Sequence, residues 1–280
     1  MAETALEVVL RHDRRIVATA IAIVTALAWA YIGWLATDMS MPAMSPADMA
    51  GMDMAGMNMG SMSADMLTPA LKPWSATQFL LTLTMWVVMM IGMMTPSATP
   101  MLLLYARVGR QARQQGRPFA ATSWFTAGYL GAWMLFSLFA TALQWALEQL
   151  SLLTPMLASA STHFGGGVLL LTGLYQWLAA KDACLVQCQS PLTFLQQQGG
   201  FRADARGALR LGLRHGAYCV GCCWALMLLL FVGGVMNVLW IAGLSVLVLL
   251  EKIVPTGRLL PRIAGMLLAA AGLSLLTGFP

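Results

Sequence analysis

Seven apolar runs, each close to the length of a membrane-spanning helix, divide this chain at about residues 16–36, 76–105, 121–148, 161–180, 217–234, 237–251 and 263–279. A helix that crosses a bilayer needs roughly 20 mostly apolar residues. Lipid offers the backbone no hydrogen-bond partners, so spanning segments are helices or closed barrels. Strand signals are weak throughout, which predicts an all-α polytopic helix bundle with about seven transmembrane helices. A composition of 59% hydrophobic against 10% charged residues excludes an ordinary soluble domain. The expected organisation is a tail over 1–15, a first transmembrane helix over 16–36, a methionine-rich outer loop over 37–75 and a six-helix membrane domain over 76–280. Internal repeats are not apparent.

The basic residues orient these spans. Arg11, Arg14 and Arg15 precede the first; Arg107, Arg110, Arg113 and Arg117 follow the second; Lys181, Arg202, Arg206, Arg210 and Arg214 separate the fourth from the fifth; Lys252, Arg258 and Arg262 separate the sixth from the seventh. Of the 16 basic residues only Lys72 falls on the other side. The positive-inside rule makes the basic side the cytoplasm. The expected location is a bacterial inner membrane, with the amino terminus inside and the carboxyl terminus outside. The net charge of +5 is a consequence of topology and gives no warrant for nucleic-acid binding. Arg14-Arg15 ahead of an apolar run, with Ala28-Trp29-Ala30 behind it, also fits a cleaved signal segment. The run continues through Tyr31, Ile32, Trp34 and Leu35, which favours an uncleaved anchor.

The expected outer loop carries ten methionines: Met39, Met41, Met44, Met49, Met52, Met54, Met57, Met59, Met62 and Met66. They are interleaved with Ser, Asp, Asn, Gly, Ala and Pro, so these thioethers are expected in water. Met52, Met54, Met57 and Met59 stand in MxM spacing, a pattern of neutral soft donors that selects Cu(I) or Ag(I) over harder cations. A flexible low-complexity linker is the alternative, although such linkers have no reason to accumulate thioethers. In the second span Met85, Met89 and Met93 recur every fourth residue, with Met90 and Met94 beside them. On a helix these sulfurs share one face about a turn apart. Pro96 and Pro100 follow and are expected to break or kink the helix. A ladder of thioethers suits a relay for a soft ion, while methionine is equally an ordinary filler of helical bundles.

All five cysteines lie toward the basic side. Cys184 and Cys188 form a C-x3-C pair after the fourth span. His215, Cys219, Cys222 and Cys223 open the fifth as H-x3-C-x2-C-C, which places them on one broad helical face. Clustered cysteines in a reducing compartment point to metal binding or redox chemistry and away from structural disulfides. Zinc would accept this donor set; the methionines tilt the choice toward Cu(I). Periodicity does not decide between Cys222 and Cys223 as the inward residue.

Three stretches carry a resemblance: Trp86-x2-Met89-Met90-x2-Met93-Met94-x-Pro96, Lys181-x2-Cys184-Leu185-x2-Cys188-x2-Pro191, and Gly212-x2-His215-Gly216-x2-Cys219-x2-Cys222-Cys223-Trp224-x-Leu226-Met227. Together they resemble a bacterial family of predicted metal-binding integral membrane proteins, over roughly residues 76–275. The turn Gly234-Val235-Met236-Asn237 and the pair Glu251-Lys252 fit the same pattern. The resemblance implies a polytopic membrane protein that binds a metal, with no established reaction; the copper assignment rests on the residues themselves.

Among the remaining polar residues, Glu148 is expected at the outer end of the third span and Glu251-Lys252 at the inner end of the sixth, where an interfacial ion pair is as good a reading as catalysis. His163 near Met156 is a candidate for ion uptake, though a lone interfacial histidine is more often only solvated. No phosphate loop or D-K-T-G motif supports ATP-driven pumping, and no H-E-x-x-H occurs. The expected function is Cu(I) binding with uptake or transfer across the membrane, in company with a periplasmic or cytosolic copper carrier. The alternatives are a thiol-dependent membrane oxidoreductase, a copper-insertion factor for another membrane enzyme, or a copper-sequestering protein.

Overall fold

The computed structural model describes residues 5–39, 74–116, 118–154, 157–254 and 257–278, with side chains of the first helix described over 17–37. The methionine-rich segment, with Met52, Met54, Met57 and Met59, lies outside the described residues. The described residues are all-α. In chain order the helices are α1 (Ala5–Met39), α2 (Ala76–Gln114), α3 (Thr122–Gln149), α4 (Thr162–Tyr175), α5 (Ala179–Gln189), α6 (Pro191–Gln197), α7 (Ala205–Leu228), α8 (Leu230–Gly233), α9 (Val238–Ile253) and α10 (Leu259–Thr277). Ser75, Ser161, Asp204 and Asn237 cap α2, α4, α7 and α9 by accepting a backbone N–H, the standard remedy for unpaired donors in the first turn.

Five stretches are long and apolar enough to cross a membrane: Val17–Thr37, Ala76–Gln114, Thr122–Gln149, Ala205–Gly233 and Leu259–Thr277. The chain is therefore a multi-pass membrane protein. The expected spans at 161–180 and 237–251 hold shorter helices than the other five. There α4 has 14 residues and α9 has 16, only about 21 and 24 Å of helix, against a hydrocarbon core about 30 Å thick. Both still run antiparallel to α7. Thr172 and Tyr175 of α4 donate to the Ala225 and Gly221 carbonyls. Trp240 at the start of α9 donates to the Leu229 carbonyl, and Lys252 at its end reaches Cys219.

Of the two expected effects of the prolines in α2, a break does not occur; the helix runs through Pro96 and Pro100 to Gln114. Carbonyls around them gain side-chain donors: Thr95 to Ile91, and both Ser97 and Tyr129 to Met94. Such donors compensate for a ladder that proline has interrupted. The turn at Gly234 takes a φ of 97°, open to glycine, and Asn237 then starts α9.

The tightest helix pair is α3 with α7. A Cβ on Gly212 would collide with the Phe125 carbonyl, and one on Gly128 with the Leu209 carbonyl. Small residues at such crossings let backbones meet where no hydrophobic force draws helices together. Gly212→Ala should therefore cost about 1–3 kcal/mol, the usual range for overpacking. A lowered thermal midpoint of the detergent-purified protein checks this; an unchanged midpoint would show that the seam gives way freely. The basic end of the bundle is closed by aromatic rings, Tyr105 stacking on Phe125 at 4.7 Å and lying tilted against Phe119 at 5.0 Å.

Candidate metal centre

Met89, Met90, Met93 and Met94 are each 1% exposed or less, and Met85 is 7% exposed. The helix thus presents its thioether face to the protein interior and away from lipid. Burial of this kind serves packing and ion transfer alike. Met101 and Met227, each 1% exposed, belong to the same core; Met227 closes the third motif of the sequence, whereas Met101, beyond Pro100, did not stand out there.

At the end away from the arginines, a cavity of about 340 Å³ opens between α1, α2 and α3, lined by Gln78, Met85, Gln144, Glu148 and Met236 among others. Trp74 and Gln144 donate to the two oxygens of Glu148, at 2.8 and 2.9 Å, and Trp86 donates to Gln144 at 2.8 Å. A carboxylate with one donor on each oxygen therefore stands at this mouth, beside the first rung of the ladder. His163 is exposed at the start of α4.

The cysteines occupy two facing helices. Cys184 and Cys188 lie on α5, Cys188 in its last turn, while Cys219, Cys222 and Cys223 are buried on α7. The Sγ atoms of Cys188 and Cys222 are 3.9 Å apart. Cys188 also neighbours Cys219. Cys184 packs one turn further along, against Gly221. The thiols of Cys222 and Cys223 donate to the Cys219 carbonyl at 3.1 and 2.8 Å. Both are buried, and Cys222 is the one that faces the second helix.

Cys219 is the best-supported sulfur. Lys252 Nζ lies 2.9 Å from its Sγ and 3.0 Å from Ser97 Oγ, and the Tyr129 hydroxyl lies 3.2 Å from the same sulfur while donating to the Met94 carbonyl at 3.0 Å. The Lys252 ammonium supplies a donor and a positive charge beside this sulfur, and a thiolate is the form of cysteine that binds metal. His215 is boxed by the rings of Phe125, Tyr129 and Phe194, and its buried Nδ1 has no partner among the described residues. It stands one helical turn from Cys219 on α7.

Glu251 and Lys252 do not pair with one another, which corrects the expectation of an interfacial ion pair. Adjacent helical residues point about 100° apart. Glu251 turns to Lys181, at 2.7 Å with both groups buried, and Lys252 turns to Cys219. Gln176 completes the pair by accepting from Lys181 and donating to Glu251. Sequence periodicity could not assign these partners; the only signal was the occurrence of Lys181 ahead of the C-x3-C pair.

Among the described residues no three Cys, His, Asp or Glu side chains converge into a cage for a metal. Cu(I) does not need one, being satisfied by few soft ligands. With a metal–sulfur bond of about 2.3 Å, as in zinc thiolates, two sulfurs sharing an ion in trigonal geometry stand about 4 Å apart. The Cys188–Cys222 separation fits that value, and the donor chemistry suits a cuprous ion.

Residues 83–275 match the model of the family PpoB2, described as a copper chaperone. The chain belongs to the PpoB2 copper chaperone family. Copper binding follows from that membership, and the matched span holds the ladder and all five cysteines of this PpoB2 member. The methionine-rich segment lies ahead of the matched residues. No curated protein and no solved structure matches the chain.

Proposed function

We propose that the protein accepts Cu(I) at the face opposite its arginines, passes it along the buried thioethers of α2 and holds it at Cys188 and Cys222, with Cys219 in support, for delivery to a thiol-bearing acceptor on the cytoplasmic side. The observation that carries this reading is Tyr129, whose single hydroxyl touches both the Met94 carbonyl at the inner end of the ladder and the sulfur of Cys219. Thioether run and thiol cluster thus meet at one side chain. Met85 and Met236 at the outer cavity, beside the Glu148 carboxylate, would receive a cation from the methionine-rich segment. Thioethers bind weakly and thiolates tightly, so affinity rises along the route and loading needs no ATP; the acceptor drives release.

The test is Met89→Leu with Met93→Leu, a swap of similar volume that should cost less than about 1.5 kcal/mol. In proteoliposomes supplied with Cu(I) outside, loading of the cysteines should slow at least about tenfold, as it does when supporting groups around a metal are lost. Binding by detergent-solubilised protein should be unchanged. Wild-type loading rates in the variant would remove the ladder from the route.

A second reading is a thiol-dependent oxidoreductase, favoured by the Cys188–Cys222 contact between separate helices. It separates from the first by bookkeeping of products: thiol turnover without net copper movement would support it and overturn the transfer route.

A further inference from the structure

At the basic side, a cavity of about 420 Å³ is lined by Gln198, Arg202, Asp204, Arg206, Arg210 and Arg214. Arg206, Arg210 and Arg214 recur every fourth residue along α7, so their guanidinium groups form a row on one face. Arg202 adds a fourth group from the preceding segment. The row is organised: Gln198 accepts from Arg202 through its carbonyl at 3.0 Å and from Arg214 through its side chain at 2.7 Å. The one carboxylate in the lining, Asp204, is turned to cap Gly207 N at 2.8 Å. Among the described residues Arg206 and Arg210 make no ion pair. The positive-inside rule accounts for arginines on this side, but not for four of them stacked along one concavity where like charges repel.

We infer that this pocket is a binding site for the phosphate headgroup of an anionic lipid. Arginine forks match phosphate oxygens bidentately, and basic pockets between helices on the cytoplasmic side suit acidic headgroups. The surroundings favour a lipid over free phosphate. Leu209 and Leu213, each next to an arginine of the row, are exposed apolar side chains, and so is Trp124. Trp124 directly precedes Phe125, which packs on Gly212 at the same level of α7, and an exposed indole at such a level marks the membrane interface. The inference is independent of the copper route.

The experiment uses the full chain in detergent, equilibrated with equal amounts of phosphatidylglycerol and phosphatidylcholine and read by native mass spectrometry. Wild-type protein should retain phosphatidylglycerol preferentially. Arg206→Gln with Arg210→Gln should cut that preference about thirtyfold, the effect of two guanidinium groups near an anionic surface. Arg206→Lys with Arg210→Lys should keep part of it, and copper content should not change in either variant. Millimolar inorganic phosphate should leave the lipid in place. Equal retention of the two lipids, an unchanged preference in the glutamine variant, or displacement by inorganic phosphate would overturn the assignment. Should the double variant fail to fold, Arg210→Gln alone must lower the preference, and an unaltered value there overturns it equally.

Discussion

Replacing Cys188 and Cys222 together with serine should strip the protein of copper. The two sulfurs face each other from α5 and α7 at 3.9 Å, and serine oxygens are poor donors for a soft monovalent ion. The dissociation constant for Cu(I) should rise more than a hundredfold, beyond the roughly 10- to 100-fold penalty for losing a group that merely supports a ligand. Each single variant should retain partial binding through Cys219. Competition with a cuprous chelator, followed by elemental analysis, measures the change. Full copper occupancy in the double variant would move the binding site elsewhere, with Cys184 and Cys223 the next residues to replace. Stability should alter little, because both thiols are small and Cys188 is only partly buried.

The second large effect is on folding. Lys181→Met should destabilise the protein by about 3–5 kcal/mol, since Glu251 would be left as a buried charge with no cation. Lys181 is 0% exposed and Glu251 2%, and Gln176 cannot neutralise the carboxylate by hydrogen bonding alone. Poor expression and a sharply lowered thermal midpoint are expected. Lys181→Met combined with Glu251→Met should recover most of the loss, because a buried pair is often replaceable by apolar groups of similar size. If the single and double variants melt alike, the pair contributes no more than its separate parts. Copper binding by the double variant would then show whether this pair has any role beyond holding α5 against α9.

Much of this was legible from residue spacing. The four-residue recurrence from Met85 to Met93 placed the thioethers on one face, and the structure buries that face. The H-x3-C-x2-C-C motif placed His215, Cys219 and Cys222 on one side of a helix, and α7 carries them there. Tertiary pairing was not legible. Cys184 and Cys188 looked equivalent, yet Cys188 brings its sulfur to 3.9 Å from that of Cys222 while Cys184 packs against Gly221, a matter of how α5 is rolled against α7. Glu251 and Lys252 looked like partners, yet each is committed to a different helix. The length of α4 was overestimated because Trp177 and Leu178 continue the apolar run after the helix has ended at Gln176. Hydropathy does not register where a helix stops.

The adjacency of Glu251 and Lys252 has a mechanical meaning. Two neighbouring side chains on one rigid rod are each anchored to a different wall, one through a carboxylate and one through an ammonium. Any axial rotation of α9 that frees the sulfur of Cys219 also drags on Lys181, and through α5 on Cys188. Cys219 and the helix that carries Cys188 are therefore both fastened to one shaft, the first through Lys252 and the second through Lys181.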